Sequence, residues 1–236
     1  MPEKKAVVVH SGGMDSSLCL KLALDEYGKE NVLSLTFDYN QRHRHEIDHS
    51  KKICGEWGVD HIVLEISCLS QITNDALVNH TLNIEYKMGT APNTLVVGRN
   101  GLMARIASIQ AHSLGARCIY MGVLELEEAN SGYRDCSRKY MDLMQDILRI
   151  DFDDPEFDIR TPLVFMTKVE TMELANRLGI LNFLLEATVT CYEGTPHWGC
   201  QRCPSCILKN RGIKNFLRRH PAHELPRGYD LSMVSS

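Results

Sequence analysis

The chain has 236 residues, 44% of them hydrophobic, which suits one domain of moderate size with an ample core. A formal net charge of −4 gives no general attraction to nucleic acid or an anionic membrane, and no apolar run approaches the ~20 residues of a membrane span. Nine cysteines, an odd number with four crowded between 191 and 206, point to a metal site in a reducing compartment and against a disulfide framework.

The opening Met-Pro-Glu-Lys-Lys lacks the apolar core of a signal peptide, and a cytoplasmic location is expected. Residues 5–10 read as the first strand, with the run Ala6 to Val9 buried. Ser11-Gly12-Gly13 follows at once, and a helix is expected over 16–27, with apolar residues at helical spacing from Met14 to Leu24. A strand that breaks at two glycines into a helix outlines a pyrophosphate cradle. The glycines admit a phosphate close to the backbone, and the free N–H groups and positive end of the helix hold it. No Gly-Lys-Ser/Thr closes the loop, so it is not a Walker A loop. The run Ser11-Gly12-Gly13-Met14-Asp15-Ser16 resembles the signature of the PP-loop pyrophosphatases, which use ATP to adenylate an oxygen. A purely structural turn is the competing reading, for which Asp15 and Ser16 are costly choices.

A second strand is expected over 32–37, a polar-faced helix over 44–58 and a third strand over 61–66. This alternation calls for an α/β fold, a Rossmann-like parallel sheet with helices on both faces. Ligands of such sheets sit beyond the carboxyl ends of the strands, so Ser11, Asp38 and the residues after Ile66 should share one edge. Residues 67–97 break the rhythm, with a short helix over 69–78, and read as a lid or binding loop. Gly98-Arg99-Asn100-Gly101 opens a helix to about 114, with Leu102, Ile106, Ile109 and Ala111 inward. A fourth strand over 117–123, an acidic loop over 125–134 and a helix over 137–150 follow. Residues 151–158 read as a surface turn and 161–164 as a short extended piece. Thr167-Lys168-Val169-Glu170 is a capping box for a helix to 178. The expected organisation is a nucleotide-binding α/β domain over 1–185, a zinc-binding helical segment over 186–220 packed on it, and a loosely ordered tail over 221–236.

Cys191, Cys200, Cys203 and Cys206 are the strongest metal signal. Two Cys-x2-Cys steps put three thiolates on one tight turn, and Cys191 joins them across an eight-residue loop. Four thiolates suit tetrahedral Zn(II), and a closed shell with no open position reads as structural; an iron–sulfur cluster is the alternative. His197, inside the loop, reads as a bystander. Asp38-Tyr39-Asn40-Gln41-Arg42-His43 ends the second strand where a base or substrate would be met, or is a solvated turn. Arg99, at a helix start, suits a phosphate or carboxylate gripped bidentately. Ser131-Gly132-Tyr133-Arg134-Asp135-Cys136 offers a tyrosine for stacking and a carboxylate for a guanine-like donor edge. Lys168 either is solvated or neutralises a phosphate.

In this order, the PP-loop run, Phe-Asp-Tyr-Asn-Gln-Arg-His, Pro-Asn-Thr before Gly-Arg-Asn, Gly-Tyr-x-Asp-Cys, Thr161-Pro162-Leu163 and Thr190-Cys191-Tyr192 resemble the 7-cyano-7-deazaguanine (preQ0) synthases of the queuosine pathway, from Lys5 to about Phe216. The resemblance implies a zinc-bearing PP-loop ATPase, commonly a homodimer. It would convert 7-carboxy-7-deazaguanine and ammonia to the nitrile through an acyl-adenylate and an amide, with Mg(II)-ATP. It places ATP on His10, Ser11, Gly12, Gly13, Met14, Asp15, Ser16, Ser17 and Phe37, and catalysis on Asp15, Lys168 and Arg99. The deazaguanine falls to Gln41, Arg42, Arg99, Asn100, Tyr133 and Asp135, and zinc to the four cysteines.

The chain departs from that family at 124–130, where Cys-Glu-Thr-Asp-Phe is usual. It also departs at Arg134, where proline is usual, at Ser137 for arginine, and at Gln201 for glycine; Val97 to Gly101 replaces a Pro-Gly-Arg-Asn-Leu type of run. These changes collect near the expected substrate side. They also fit a family relative, of the kind associated with antiviral operons, that transfers the activated deazaguanine to a protein amine. A PP-loop tRNA thiolase needs a basic face and cysteines free to carry sulfur, which this acidic chain with its paired cysteines does not offer. A non-catalytic zinc module leaves the 11–17 loop unexplained.

Overall fold

The computed structural model describes residues 2–41, 45–79, 81–84, 93–125 and 133–230. Five strands form one parallel sheet in the order β3-β2-β1-β4-β5. They are β1 (Ala6–Val9), β2 (Val32–Asp38), β3 (Asp60–Glu65), β4 (Cys118–Met121) and β5 (Asp158–Arg160). The helices are α1 (Met14–Tyr27), α2 (His45–Trp57), α3 (Cys68–Ile72), α4 (Arg99–Ser113), α5 (Arg138–Phe152), α6 (Lys168–Arg177), α7 (Leu181–Ala187) and α8 (Pro204–Arg219).

Alternation along the strands splits the core in two. Ala6 and Val8 face a cluster built with α1, α6, α7 and α8, to which Cys54 of α2 also belongs. Val7, Leu33, Leu35, Phe37, Ile119 and Met121 face α4 and α5. The chain winds outward from β1 to β3 on one side and resumes beside β1 with β4 on the other. The strand order reverses between β1 and β4, the place where open α/β sheets hold ligands.

Small residues set how closely the helices approach. Gly12 has φ +82°, and a Cβ there would stand 2.3 Å from the carbonyl oxygen of Glu46 on α2. A Cβ on Gly122, just past β4, would stand 2.7 Å from the backbone nitrogen of Ser16. The first turn of α1 is thereby drawn onto the ends of β1 and β4. On α4 the inward face is Met103, Ala104, Ala107 and Ala111, and Ile109 is 54% exposed, which corrects the expected inner side. The alanines let α4 lie close to the sheet, and its register turns Ile109 outward.

The capping box of α6 is present, with the Thr167 and Glu170 side chains each bonded to the other's backbone N–H. Three other expectations are corrected. Residues 158–160 form β5, an edge strand too short to read as one, while α5 runs to Phe152. The helix after β3 stops at Ile72, and the Asp75 carboxylate organises the following turn by accepting from Thr73 Oγ1 at 2.7 Å and Leu77 N at 2.9 Å. Beyond His220 the chain is anchored at Tyr229, 6% exposed, whose hydroxyl donates to the Leu185 carbonyl at 3.1 Å. Among the described residues no helix is long and apolar enough to cross a membrane.

The close approach at Gly12 makes a clear expectation. Gly12→Ala combines left-handed backbone strain with a clash against backbone, and should cost about 2–4 kcal/mol in urea unfolding.

Candidate active site

A cavity of about 270 Å³ opens at the carboxyl ends of β1, β2 and β4. His10, Ser11, Asp15 and Ser16 line one side of it, and Phe37, Tyr39 and Gln41 come from the end of β2. Arg99, Asn100 and Met103 of α4, Met121 to Leu124, Tyr133 and Cys136 add the facing wall. Tyr192, Pro204, Ser205 and Leu208 close it from the C-terminal segment.

The 11–17 loop is a net of short hydrogen bonds. Ser16 Oγ lies 3.0 Å from Ser11 Oγ and donates to the Gly13 carbonyl at 3.0 Å, and Ser17 Oγ donates to that carbonyl at 2.8 Å. Gly13 is the N-cap of α1 and makes no side-chain cap, so the positive end of a 14-residue helix is presented without a capping side chain. His10 is fully buried, with Nε2 3.0 Å from Ser17 Oγ and Nδ1 3.0 Å from Ser34 Oγ. Its imidazole therefore braces the loop from below. Burial, aided by His61, lowers its pKa from 6.5 to about 3, so the ring is neutral at physiological pH. The Met14 side chain is buried in the core, which limits its part in binding to the backbone.

Asp15 and Lys168 meet across 153 positions of sequence. Lys168 Nζ donates to Asp15 Oδ1 at 2.5 Å, and the lysine side chain is 4% exposed against 23% for the aspartate. The helix start brings Lys168 to the site, and Gly212 of α8 makes room for its stem, since a Cβ there would stand 2.8 Å from Lys168 Cγ. Lys168 lies behind the cavity wall, and Asp15 is the member that lines it.

Arg99 stands apart from that pair, on the helix covering the other face of the sheet. Its Nη1 donates to Tyr39 OH at 3.0 Å, and its guanidinium carbon lies 5.8 Å from the Tyr39 ring centre. Burial pushes the Tyr39 hydroxyl above its ordinary pKa, so it is neutral. Gln41 folds back on its own strand, accepting from Tyr39 N at 2.9 Å and donating to the Phe37 carbonyl at 3.3 Å. It thus fixes the turn that carries Tyr39. Asp135 is buried and accepts from Asn100 N at 2.8 Å, so its carboxylate caps the first turn of α4 behind the wall. Tyr133 lines the cavity, its hydroxyl 3.1 Å from Thr94 Oγ1. Arg42 lies outside the described residues, as do the calls on 126–132. Tyr39 stood in the 38–43 run without a role of its own, and Tyr192 was not among the expected site residues, although both stand in the motifs that carry the resemblance.

The four sulfurs of Cys191, Cys200, Cys203 and Cys206 lie within 4.8 Å of one another. A tetrahedral ion with ~2.3 Å bonds to sulfur needs edges of roughly 3.8 Å, and Cys200 and Cys206 are 4.0 Å apart. Backbone N–H groups at Glu193, Cys200, Cys203 and Cys206 each point at a sulfur at 3.4 Å. Gly199 closes the turn, because a Cβ there would stand 2.3 Å from Cys206 Sγ. The donor set and its spacing fit one metal ion.

A glycine-rich strand–helix loop, a carboxylate and a lysine at the switch point of a parallel sheet define an ATP-dependent enzyme of the PP-loop kind. Residues 5–217 match the family described as queuosine biosynthesis protein QueC, and the chain belongs to that family. The chain is also similar to two solved structures. The U34-tRNA thiolase NcsA from Methanococcus maripaludis, with its [4Fe-4S] cluster, is 18% identical at a TM-score of 0.49, over 100% of this chain and 80% of that one. The NMN synthetase from Francisella tularensis is 14% identical at 0.48, over 99% and 90%.

Two expectations follow. Cys203→Ala should lose the metal and lower Tm by about 10 °C or more, read by metal analysis and calorimetry; full metal content would remove Cys203 from the ligand set. For His10, the unfolded chain takes up a proton below pH 6.5 and the native state only near pH 3. Stability is therefore complete above that window and falls as pH drops through it, by about 5 kcal/mol. Urea midpoints across that range should show a shallower slope for His10→Gln.

Proposed function

We propose that this protein converts 7-carboxy-7-deazaguanine and ammonia to the nitrile preQ0 at the expense of ATP. Family membership supports the reading, and one observation carries it. The cavity sets the uncapped end of α1, with Asp15 and Lys168, opposite an arginine held by a tyrosine. A triphosphate and a planar carboxylate are thus given separate, facing ends.

In the first step the substrate carboxylate oxygen attacks the α-phosphorus of ATP and pyrophosphate leaves. Backbone N–H groups of the 11–17 loop and the α1 dipole stabilise charge growing on the leaving group. Lys168, held by Asp15, adds positive charge on that side. Magnesium bound with ATP would supply further neutralisation, and Asp15 would be the carboxylate to hold it. Ammonia then attacks the acyl carbon, expelling AMP and giving the amide after loss of a proton. A second ATP adenylates the amide oxygen, and loss of AMP and a proton leaves the nitrile. The walls from β2, α4 and the C-terminal segment keep water from both adenylates.

The four-cysteine centre is assigned to structural Zn(II). The sulfurs are spaced for one ion, closer than a cubane with an iron at each thiolate would set them. For the homodimer implied by the resemblance we propose α5, where Leu143, Ile147 and Ile150 are exposed in one stripe.

The test is a product assay with Mg-ATP and 7-carboxy-7-deazaguanine, with and without ammonium, read by mass spectrometry. Nitrile that forms only with ammonium is expected. AMP without nitrile would replace ammonia by another acceptor, such as a protein amine. Asp15→Asn keeps an oxygen for Lys168 and should still lower kcat at least ~100-fold; the alanine variant would also strand a buried lysine.

A further inference from the structure

Tyr192 is the side chain that packs against both the cysteine cluster and the core beneath the sheet. It follows the ligand Cys191 in sequence and hydrogen-bonds Ser205, which lies between Cys203 and Cys206. Metal-ligating and cavity-lining residues thus alternate along the same two stretches: 191 and 192, then 203 to 206. On its other side Tyr192 lines the same cavity wall as Arg99 and Tyr133. Arg99 is bonded to Tyr39, and all four of these residues line the cavity. A guanidinium among three tyrosine rings recognises a flat ring that carries a carboxylate, by stacking and by bidentate hydrogen bonds. The 11–17 loop itself is built from β1 and α1, and the cysteine segment reaches that end through α8, where Gly212 lies against the stem of Lys168.

We propose that Tyr192 is a substrate-contacting residue through which the four-cysteine centre shapes the acyl-substrate end of the cavity, so that metal loading acts more strongly on affinity for the ring carboxylate than on affinity for nucleotide. This assignment rests on the carboxylate-activating reading above and adds the residue that links that site to the metal.

The experiment compares wild type, Tyr192→Phe and Tyr192→Ala, each shown by metal analysis to keep a full metal complement. Titration calorimetry measures Kd separately for 7-carboxy-7-deazaguanine and for a non-hydrolysable Mg-ATP analogue. Tyr192→Ala should weaken the carboxylate at least ~10-fold and the nucleotide less than ~2-fold, while Tyr192→Phe, which keeps the ring, retains most of the affinity. Wild type stripped by a chelator should lose carboxylate affinity at least as far as Tyr192→Ala does, and more of it than of nucleotide affinity. Carboxylate binding unchanged in Tyr192→Ala, or an equal loss for both ligands, overturns the proposal. If wild type binds no 7-carboxy-7-deazaguanine, the proposed reaction falls, and hydrogen exchange decides the role of Tyr192. Faster exchange at Asn100 and over 133–136 in Tyr192→Ala, with 14–17 unaffected, upholds the link; unchanged exchange there overturns it.

Discussion

The first turn of α1 is wedged between two backbones, and the rest of the site depends on that contact. Gly12 lets the loop pass against α2, and Gly122 lets the end of β4 press on Ser16. Neither position has space for a methyl group, so the helix terminus is fixed at the point where the strand order reverses. The positive end of α1 therefore faces the cavity instead of bulk solvent, where its field would be screened. His10 completes the arrangement from below as a neutral strut, since a charged imidazole there would be buried with two hydroxyls and a thiol and no carboxylate among its bonded partners.

The two cationic side chains of the site are held by different chemistry. Lys168 is buried against the Asp15 carboxylate, a pairing that offsets its desolvation. Arg99 is held by a phenol that stays neutral, which orients the guanidinium without cancelling its charge. One cation is thus shielded and the other left with a strong field. The helices that carry them lie on opposite faces of the sheet and meet at one cavity.

Much of this was legible in the chain. The run Ala6 to Ser17 announced strand, loop and helix because each residue type has one physical reason to be there: buried aliphatics, two glycines, then small hydroxyls and a carboxylate. The four cysteines were equally plain, since thiolates at that spacing have few other uses. What was hidden depended on tertiary neighbours. Asp135 looked like a base-reading carboxylate and caps α4 instead, because the chain alone does not say which backbone N–H groups need an acceptor. Ile109 looked inward until the alanines on its helix proved to be the packing face. Tyr192 stood in a quoted motif, but only the fold of the cysteine segment brings it beside Arg99.

Gly212 carries a consequence for modularity. By lacking a side chain it allows α8 to rest on the stem of Lys168. The helix that begins at the cysteine cluster is therefore part of the housing of the lysine at the nucleotide end. A fragment cut before Cys191 would expose that stem to water and free the ammonium group to move. The sheet and its glycine loop are thus no detachable cassette that could be grafted elsewhere with its chemistry intact.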